Sequence, residues 1–297
     1  MSRSSGAEGL RRLCPGKVNL YLRVVRRRPD GYHDLMTVMQ PLSLADELII
    51  RPGGTGVTLE CNDPRIPAGE ENLAVRAALA YGREWGRRLG VHITLDKRIP
   101  LAAGLGGGSS DAAGTLLGLN QLLGRPLETT ALHRLATGLG ADVPFFLLNG
   151  PAVARGIGTE LTPITLPPYW YLLLNPGVSV STRWVYQNLD PANLKAKVME
   201  DWNSKTPEAW VHNDLETVTL KHFPELSKLL EQLAELGSRI QGMSGSGPTL
   251  FALFDSLDAA RDAARGMRRH FSGWMTITRG LTGPAEDPGW ENDTWMV

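Results

Sequence analysis

A glycine-rich run directly ahead of a predicted helix constrains this chain more than any other feature. Residues 100–114 read PLAAGLGGGSSDAAG, with four glycines between 104 and 108 and a helix start that Ser109 and Ser110 are predicted to supply. Glycine lets backbone amides approach an anion closely, and a helix N-terminus adds unpaired N–H donors and roughly half a positive charge. The run therefore predicts a polyphosphate-binding loop, with a flexible turn and a Ser or Asp helix cap as the plainer alternative.

Two common phosphate-binding motifs do not fit this run. A Walker-type loop needs a lysine followed by Ser or Thr after its second glycine, and no lysine follows the glycines here. A dinucleotide fingerprint begun at Gly104 would need Gly or Ala at its sixth position, where this chain has Ser109. The sequence therefore disfavours both a P-loop and a Rossmann nucleotide site.

The composition indicates a two-core protein with a small-molecule ligand. The 297 residues, 42% of them hydrophobic, reach the length of roughly 250 to 300 residues at which single cores stop growing, so two packed lobes are expected. The 31 Lys and Arg residues balance the 31 Asp and Glu residues, so no strong field would attract nucleic acid or an anionic membrane. Cys14 and Cys61 make no disulfide scaffold, and the six histidines have no zinc-type spacing. Since no apolar run reaches signal-peptide or membrane-span length, we expect a cytoplasmic protein without nucleic-acid or membrane partners.

Hydrophobic periodicity predicts strands and helices that do not alternate strictly. Residues 13–25 alternate as in a half-buried strand, which puts Lys17 and Asn19 on one face. In the first half we predict further strands over 47–51, 56–61 and 91–96, and helices over 72–89, 110–123 and 128–139. In the second half we predict strands over 169–174, 249–254 and 274–279, and helices over 226–236 and 257–271. The pattern is that of an α+β protein.

A proline-rich segment marks the predicted boundary between two lobes. The segment 161–168 precedes a fully apolar strand, so we predict lobes over 1–160 and 161–283, divided near Leu161. The first lobe would hold the glycine-rich loop. Residues 284–297, with Trp290 and Trp295, have no period that assigns them structure and are predicted to form a frayed tail.

Three ordered motifs resemble those of the GHMP kinase superfamily. Residues 100–113 look like the loop that wraps the nucleotide phosphates in that superfamily. Residues 15–20, PGKVNL, are similar to its N-terminal Pro-x-Lys-x-Asn-Leu signature, and residues 242–250, GMSGSGPTL, resemble its C-terminal glycine-rich motif. Together the motifs span residues 15 to 250, which makes them far more specific than one glycine loop.

Three further segments resemble one branch of the superfamily, the kinases whose substrate is 4-diphosphocytidyl-2-C-methyl-D-erythritol. They are residues 28–33 (RPDGYH), 140–144 (GADVP) and 176–182 (PGVSVST). Departures from the pattern are small, because Gly16 stands where Ala is more usual and Asp111 where Asn is an alternative. The resemblance implies ATP-dependent phosphorylation of the 2-hydroxyl of that substrate in the non-mevalonate isoprenoid pathway.

The resemblance also implies a fold, cofactors and an oligomeric state. The expected fold is α+β and two-lobed, with a ribosomal-protein-S5-like N-terminal lobe and a ferredoxin-like α/β sandwich as C-terminal lobe. The expected cofactors are ATP and Mg²⁺, with Ser110 as a metal ligand. The only partner would be the small-molecule substrate, and the protein would be a monomer or a weak homodimer.

Residue roles follow from the resemblance. Asp142 matches the catalytic carboxylate that accepts the hydroxyl proton, and Lys17 matches the lysine that favours its ionised form and stabilises phosphoryl charge. The substrate would be bound by Asn19, Tyr32, His33, Thr182 and Tyr186, with the two tyrosines stacking on cytosine and His33 reading its edge. The nucleotide would be bound by Asn72, Pro100, Leu101, Ala102, Ala103, Gly104, Leu105, Gly106, Gly107, Gly108, Ser109 and Ser110.

Plainer alternatives remain for these residues and for the function. Asp142 would also serve as a turn cap before Pro144, Lys17 as a solvated strand lysine, and Asn19 as a surface amide. At the level of function, the alternatives are a GHMP kinase of the homoserine or mevalonate type and a non-catalytic nucleotide-binding protein on the same fold.

Overall fold

The computed structural model of the chain describes residues 9–148, 150–190, 211–282 and 295–296. These residues form two compact units. Of the described residues, unit 1 contains 9–16, 45–99 and 106–148, and unit 2 contains 17–44, 100–105, 150–190, 211–282 and 295–296. Within these ranges no helix is long and apolar enough to cross a membrane.

Two long strands contribute to both units. Strand β1 (Leu10–Arg27) changes unit after Gly16, and strand β2 (His33–Pro52) changes unit after Leu44. Each of these strands is therefore shared by both units, so the change of unit falls within a strand and not in a linker.

Unit 1 is a small sheet with three helices. After β1 and β2 it contains β3 (Val57–Cys61), α1 (Leu73–Trp85), β4 (Val91–Asp96), α2 (Gly107–Leu122), α3 (Thr129–Leu139) and a short 3-10 helix (Pro144–Leu147). Strand β4 pairs antiparallel with the end of β2 and parallel with β3. Helices α1, α2 and α3 pack on one another, and Ile50, Ile93, Tyr81 and Leu116 are fully buried.

Helix α1, which precedes β4, and helix α2, which follows the glycine-rich run, differ in how they begin. Helix α1 starts after Asn72, whose side chain accepts a hydrogen bond from the Ala74 amide, and it ends at Gly86 in the left-handed region. Helix α2 starts at Gly107, after Gly106 at φ 73°, without a side-chain cap. The predicted start at Ser109 and Ser110 was therefore wrong, because a glycine with positive φ turns the chain into the helix earlier.

Unit 2 contains the rest of β1 and β2 and the second half of the chain. Its further elements are β5 (Ala152–Arg155), β6 (Glu160–Pro163), β7 (Trp170–Asn175), α4 (Thr182–Gln187), β8 (His212–Asn213), α5 (Glu216–His222), α6 (Pro224–Glu235), β9 (Ile240–Met243), β10 (Leu250–Phe254), α7 (Leu257–Met267), β11 (Trp274–Arg279) and β12 (Trp295–Met296). Strand β1 pairs parallel with β8, and β2 pairs antiparallel with β5. A second sheet has the order β12-β11-β7-β10-β9, and its described pairs are antiparallel.

The second sheet forms the core of unit 2 and confirms the apolar strand predicted over 169–174. Strand β7 is buried on both faces from Tyr171 onward. On one face Leu172 and Leu174 pack in a cluster with residues of α6 and α7, including Leu226 and Ala263. On the other face the Tyr171 hydroxyl donates a hydrogen bond to the Gln40 side chain of β2 at 2.5 Å.

Two sequence-based expectations about strands are corrected by burial. Residues 17–22 of β1 are buried on both faces, so this stretch is not half-buried as its alternation predicted. Only 47–51 of the 20-residue β2 was predicted, because its residues 36–46 are buried on both faces and do not alternate. The tail prediction falls mostly outside the described residues, but Trp295–Met296 pairs with β11 and is not frayed.

Candidate active site

In unit 2, Lys17 is buried and bonded to the glycine-rich loop. Its side chain is buried in β1, where the ammonium Nζ donates hydrogen bonds to Asn19 Oδ1 at 2.6 Å and to the Gly104 carbonyl at 2.7 Å. The Lys17 amide also donates to the Leu105 carbonyl at 2.9 Å. A buried cation requires such partners, so the solvated strand lysine is excluded and the first motif is joined to the second.

The third motif meets the other two at the same point. Ser244, in the loop between β9 and β10, accepts a hydrogen bond from the Asn19 amide at 3.2 Å and donates one to the Gly104 carbonyl at 2.9 Å. A Cβ on Gly245 would lie 3.6 Å from Lys17 Nζ, and a Cβ on Gly104 would lie 2.3 Å from the Ser244 carbonyl. The loops therefore approach so closely that only glycine fits at 104.

Asn19 is part of this cluster and not a surface amide. Its side-chain NH₂ donates to the Thr37 hydroxyl at 2.9 Å, and that hydroxyl donates to the Tyr21 carbonyl at 2.7 Å. Both side-chain ends of Asn19 thus have partners, which fixes its orientation next to Lys17 Nζ. Thr37 was missed from the sequence, and its only signal is a polar residue within an apolar strand.

Among the other predicted substrate-binding residues of unit 2, three make side-chain contacts near β2 and α4. The rings of His33 and Tyr186 stack with centroids 5.1 Å apart at 27°, and the Thr182 hydroxyl lies 2.8 Å from that of Ser246. Burial, with Arg27 adding to it, lowers the pKa of His33. The imidazole is therefore neutral at pH 7 and offers one donor and one acceptor. Tyr32 is 62% exposed in the turn before β2, and its stacking role stays a prediction.

The part of the loop in unit 1 carries an unsatisfied hydroxyl. Ser110 lies in the first turn of α2, and its buried Oγ has no hydrogen-bond partner among the described residues. Buried hydroxyls are normally satisfied, so this orphan fits a group that a phosphate or an oxygen-binding cation such as Mg²⁺ would complete. Earlier in the loop, Leu101 is 38% exposed, whereas Ala103 and Leu105 are buried.

An ionic cluster in unit 1 fixes both ends of the loop. Lys97 Nζ donates to Asp111 Oδ2 at 2.7 Å and to Asp46 Oδ2, and Asp46 Oδ1 accepts from the amides of Arg98 and Ile99 at 2.6 and 2.9 Å. Lys97 to Ile99 precede the loop and Asp111 follows it. Burial raises the pKa of Asp111 to about 8, against the opposing effect of Lys97. Asp46 and Lys97 were not recognised as important from the sequence.

The contacts of Asn72 and Asp142 in unit 1 do not test the nucleotide-binding and catalytic roles predicted for them, which stay predictions. The Asn72 side chain caps α1 and also donates to the Pro67 carbonyl at 3.0 Å, which is a structural use of both amide atoms. Asp142 is half-buried in the turn between α3 and the 3-10 helix, where the Val143 amide donates to the Gly140 carbonyl.

Comparison with known proteins gives the same family for both halves of the chain. The model of the GHMP kinases N terminal domain matches residues 72–150, and the model of the GHMP kinases C terminal matches residues 189–273. The 4-diphosphocytidyl-2-C-methyl-D-erythritol kinase of Syntrophotalea carbinolica is 46% identical over 89% of this chain and 96% of its own length. The kinase of the same name from Syntrophus aciditrophicus is 47% identical over 86% of this chain and 93% of its own.

Solved structures agree with these relatives. A crystal structure of 4-(cytidine 5'-diphospho)-2C-methyl-D-erythritol kinase matches with a TM-score of 0.80 and 42% identity, covering 91% of this chain and 99% of that one. The homoserine kinase of Cytophaga hutchinsonii matches with a TM-score of 0.71 at 20% identity over 95% of this chain and 98% of its own, which shows the shared fold alone. The chain therefore belongs to the GHMP kinases, within the family of 4-diphosphocytidyl-2-C-methyl-D-erythritol kinases.

Proposed function

We propose that this chain transfers the γ-phosphoryl group of ATP to the 2-hydroxyl of 4-diphosphocytidyl-2-C-methyl-D-erythritol. The products are the 2-phosphate and ADP, and the step belongs to the non-mevalonate route to isopentenyl diphosphate. The observation that carries the proposal is the bonding of Lys17 Nζ to both Asn19 and Gly104, because it joins the predicted catalytic cation to the phosphate-binding loop.

Each predicted residue has one task in this reaction. Phosphoryl transfer depends mainly on positioning and on neutralising charge, so Lys17 would stabilise the charge that develops on the transferring group. Asp142 would accept the proton of the attacking hydroxyl. When bound, Mg²⁺ would neutralise phosphate charge, and the Ser110 hydroxyl is the group of this chain that would hold it.

Substrate selection would rest on the cytosine ring. The ring of Tyr186, already stacked on His33, offers an aromatic surface for the base, and Tyr32 would add a second. The neutral His33 can pair with the hydrogen-bonding edge of cytosine. Thr182, bonded to Ser246 of the third motif, would contact the polar part of the substrate.

We also propose the remaining features expected from the sequence. The boundary between the predicted lobes, 1–160 and 161–283, would lie near Leu161 in the sequence. The protein would be a cytoplasmic monomer or weak homodimer. Both cysteines are free thiols, which suits a reducing compartment.

The proposal is tested by ADP release from ATP and Mg²⁺ with three alcohols: the cytidylyl substrate, homoserine and mevalonate. We expect turnover with the cytidylyl compound only, and a loss in kcat of about 10²- to 10⁴-fold in Asp142→Asn, which cannot accept the proton. A matched control is Asp190→Asn, a single carboxylate loss at a residue given no role in the site.

Other outcomes would change the proposal in different ways. Phosphorylation of homoserine or mevalonate instead would keep the superfamily and remove the cytosine site. Full activity of Asp142→Asn would remove the assigned base. Nucleotide binding without turnover of any alcohol would favour a non-catalytic protein.

A further inference from the structure

A short segment ahead of α5 holds the loop of the third motif through side chains. Asn213 of β8 is 6% exposed, and its NH₂ donates hydrogen bonds to the carbonyls of Met243 and Gly245, each at 2.8 Å. Its Oδ1 accepts from the Leu215 amide at 3.0 Å. Both N–H groups and one acceptor lone pair of the Asn213 side chain are therefore used in hydrogen bonds. We refer to the hydrogen bonds by which Asn213 and Glu216 hold residues 243–245 as the bracket.

Glu216 completes the bracket from the first turn of α5. Its Oε1 accepts a hydrogen bond from the Met243 amide at 2.8 Å. Burial raises the pKa of Glu216, although the hydrogen bond from Met243 opposes the rise. The two side chains thus hold both backbone groups of Met243, which lies at the end of the last strand in the sheet order, β9.

The bracket extends past the strand into the loop that contacts Lys17. Gly245, whose carbonyl accepts from Asn213, has φ 59° and lies beside Lys17, since a Cβ built there would be 3.6 Å from Lys17 Nζ. Between the two held residues lies Ser244, which contacts Asn19 and Gly104. Hydrogen bonds to Met243 alone would be enough to cover the edge of β9. The hydrogen bond from Asn213 to the Gly245 carbonyl therefore indicates a role beyond the strand edge.

We propose that Asn213 and Glu216 are positioning residues for phosphoryl transfer, which act by fixing residues 243–245 around Lys17. The inference rests on the proposed kinase reaction for its kinetic part. Neither residue touches the reacting groups, and each acts through the backbone of the loop. Because displacements of about 1 Å reduce rates by roughly a hundredfold in oriented sites, loosening this loop should act on the chemical step more than on binding.

The first test compares two buried asparagines that each make three hydrogen bonds. In Asn213→Ala we expect kcat to fall at least about tenfold while the KM for each substrate changes less than about threefold. The control is Asn120→Ala in α2, where the side chain bonds Tyr81 and both backbone groups of Leu127. It should lose comparable stability and keep its kcat when assayed well below its melting temperature.

The second test measures the loop directly and does not depend on turnover. By hydrogen exchange, the amides of Met243, Ser244 and Gly247 should exchange about tenfold or more faster in Asn213→Ala, while those of β7 keep the wild-type rate. Glu216→Gln keeps an acceptor for the Met243 amide and should retain kcat and protection, whereas Glu216→Ala should lose both.

Each outcome supports or overturns the positioning role. Wild-type kcat in a folded Asn213→Ala, or an equal loss of kcat in Asn120→Ala, would overturn it. If Asn213→Ala does not fold, the Glu216→Gln and Glu216→Ala pair decides the question, and equal behaviour of those two would refute the role. If the wild type does not phosphorylate the cytidylyl substrate, the exchange rates still show whether the bracket orders the loop.

Discussion

At the scale of single residues, buried polar groups carry most of the information about the site. Lys17 and Asn19 were singled out from their motif, and the structure adds what fixes them: the Thr37 hydroxyl, Ser244 and the Gly104 carbonyl. These partners could not be predicted because they lie 18 to 225 residues away along the chain. A motif identifies which residues are unusual, but long-range contacts decide what they bond.

Gly104 has no space for a side chain, and Gly104→Ala should abolish most activity. The added Cβ would lie 2.3 Å from the Ser244 carbonyl and would also place alanine at φ +74°. We expect kcat/KM to fall at least about a hundredfold, because the loop and its contact with Lys17 must move. Steady-state kinetics and urea unfolding measure both effects.

The control for this substitution is Gly124→Ala. Gly124 has a similar φ of +79°, but a Cβ added there would meet nothing within 4 Å, so the variant suffers only the left-handed strain, about 1–2 kcal/mol. Equal loss of stability and activity in the two variants would show that backbone strain, and not the close approach of two loops, explains the glycine at 104.

Asp111 should make stability depend on pH in a direction opposite to that of an ordinary surface carboxylate. Burial raises its pKa from 3.8 to about 8, so the folded protein holds a proton that the unfolded chain releases. The stability that this proton provides is complete below pH 3.8 and is lost as the pH rises through about 8. The slope is at most about 1.4 kcal/mol per pH unit for one proton.

Urea unfolding of the wild type and Asp111→Asn between pH 6 and 9 tests this expectation. The asparagine has no proton to lose, so the free energy of unfolding of the variant should fall less steeply with pH than that of the wild type. Parallel profiles would mean that Asp111 is ionised throughout as the partner of Lys97. Asparagine is also the alternative expected at this position from the family motif, which suits a neutral side chain.

At the scale of elements, the sequence predicted the longer helices and three strands of the second sheet, but missed most of β2 and the short helices α4 and α5. The predicted helices over 226–236 and 257–271 correspond to α6 and α7, and the strand over 274–279 corresponds to β11. Most of β2 was missed because burial on both faces removes the alternation that identifies a strand. The two-residue β8, which carries Asn213, is too short for any periodicity.

Two glycines within helices should respond to alanine with opposite sign. In α2, a Cβ on Gly114 would lie 2.4 Å from Cys14 Sγ, so Gly114→Ala overpacks a buried contact and should lower the free energy of unfolding by about 1–3 kcal/mol. In α3, Gly138 is exposed and a Cβ added there would meet nothing within 4 Å. Gly138→Ala should therefore raise the free energy of unfolding by about 0.5–1 kcal/mol.

Chemical denaturation of both variants gives the comparison, with the denaturant slope as a check that the transition is unchanged. A stabilised Gly114→Ala would mean that β1 and α2 can separate enough to admit a methyl group. Cys14, the packing partner of Gly114, could not be identified from the sequence.

At the scale of the whole molecule, the ordered motifs were sufficient to predict the family, whereas they contain no information on how the chain is divided into compact units. The chain is a GHMP kinase, as the ordered motifs predicted, and the described residues form two sheets. The predicted lobe boundary near Leu161 stays a prediction. Each compact unit takes three segments of the chain, and composition cannot reveal such an arrangement because no linker separates the segments.

The shared strands have a consequence for synthesis on the ribosome. Strands β1 and β2 are neighbours in the sheet, but Tyr21 of β1 also pairs with His212 and Thr37 of β2 with Ala154, so part of each strand waits for a partner more than a hundred residues later. At about 5–20 residues per second, translation of the roughly 190 residues to His212 takes about ten to forty seconds. During that interval the strand edges that β8 and β5 later cover are exposed to other nascent chains, so production of this enzyme at high level should depend on chaperones that shield the amino-terminal strands.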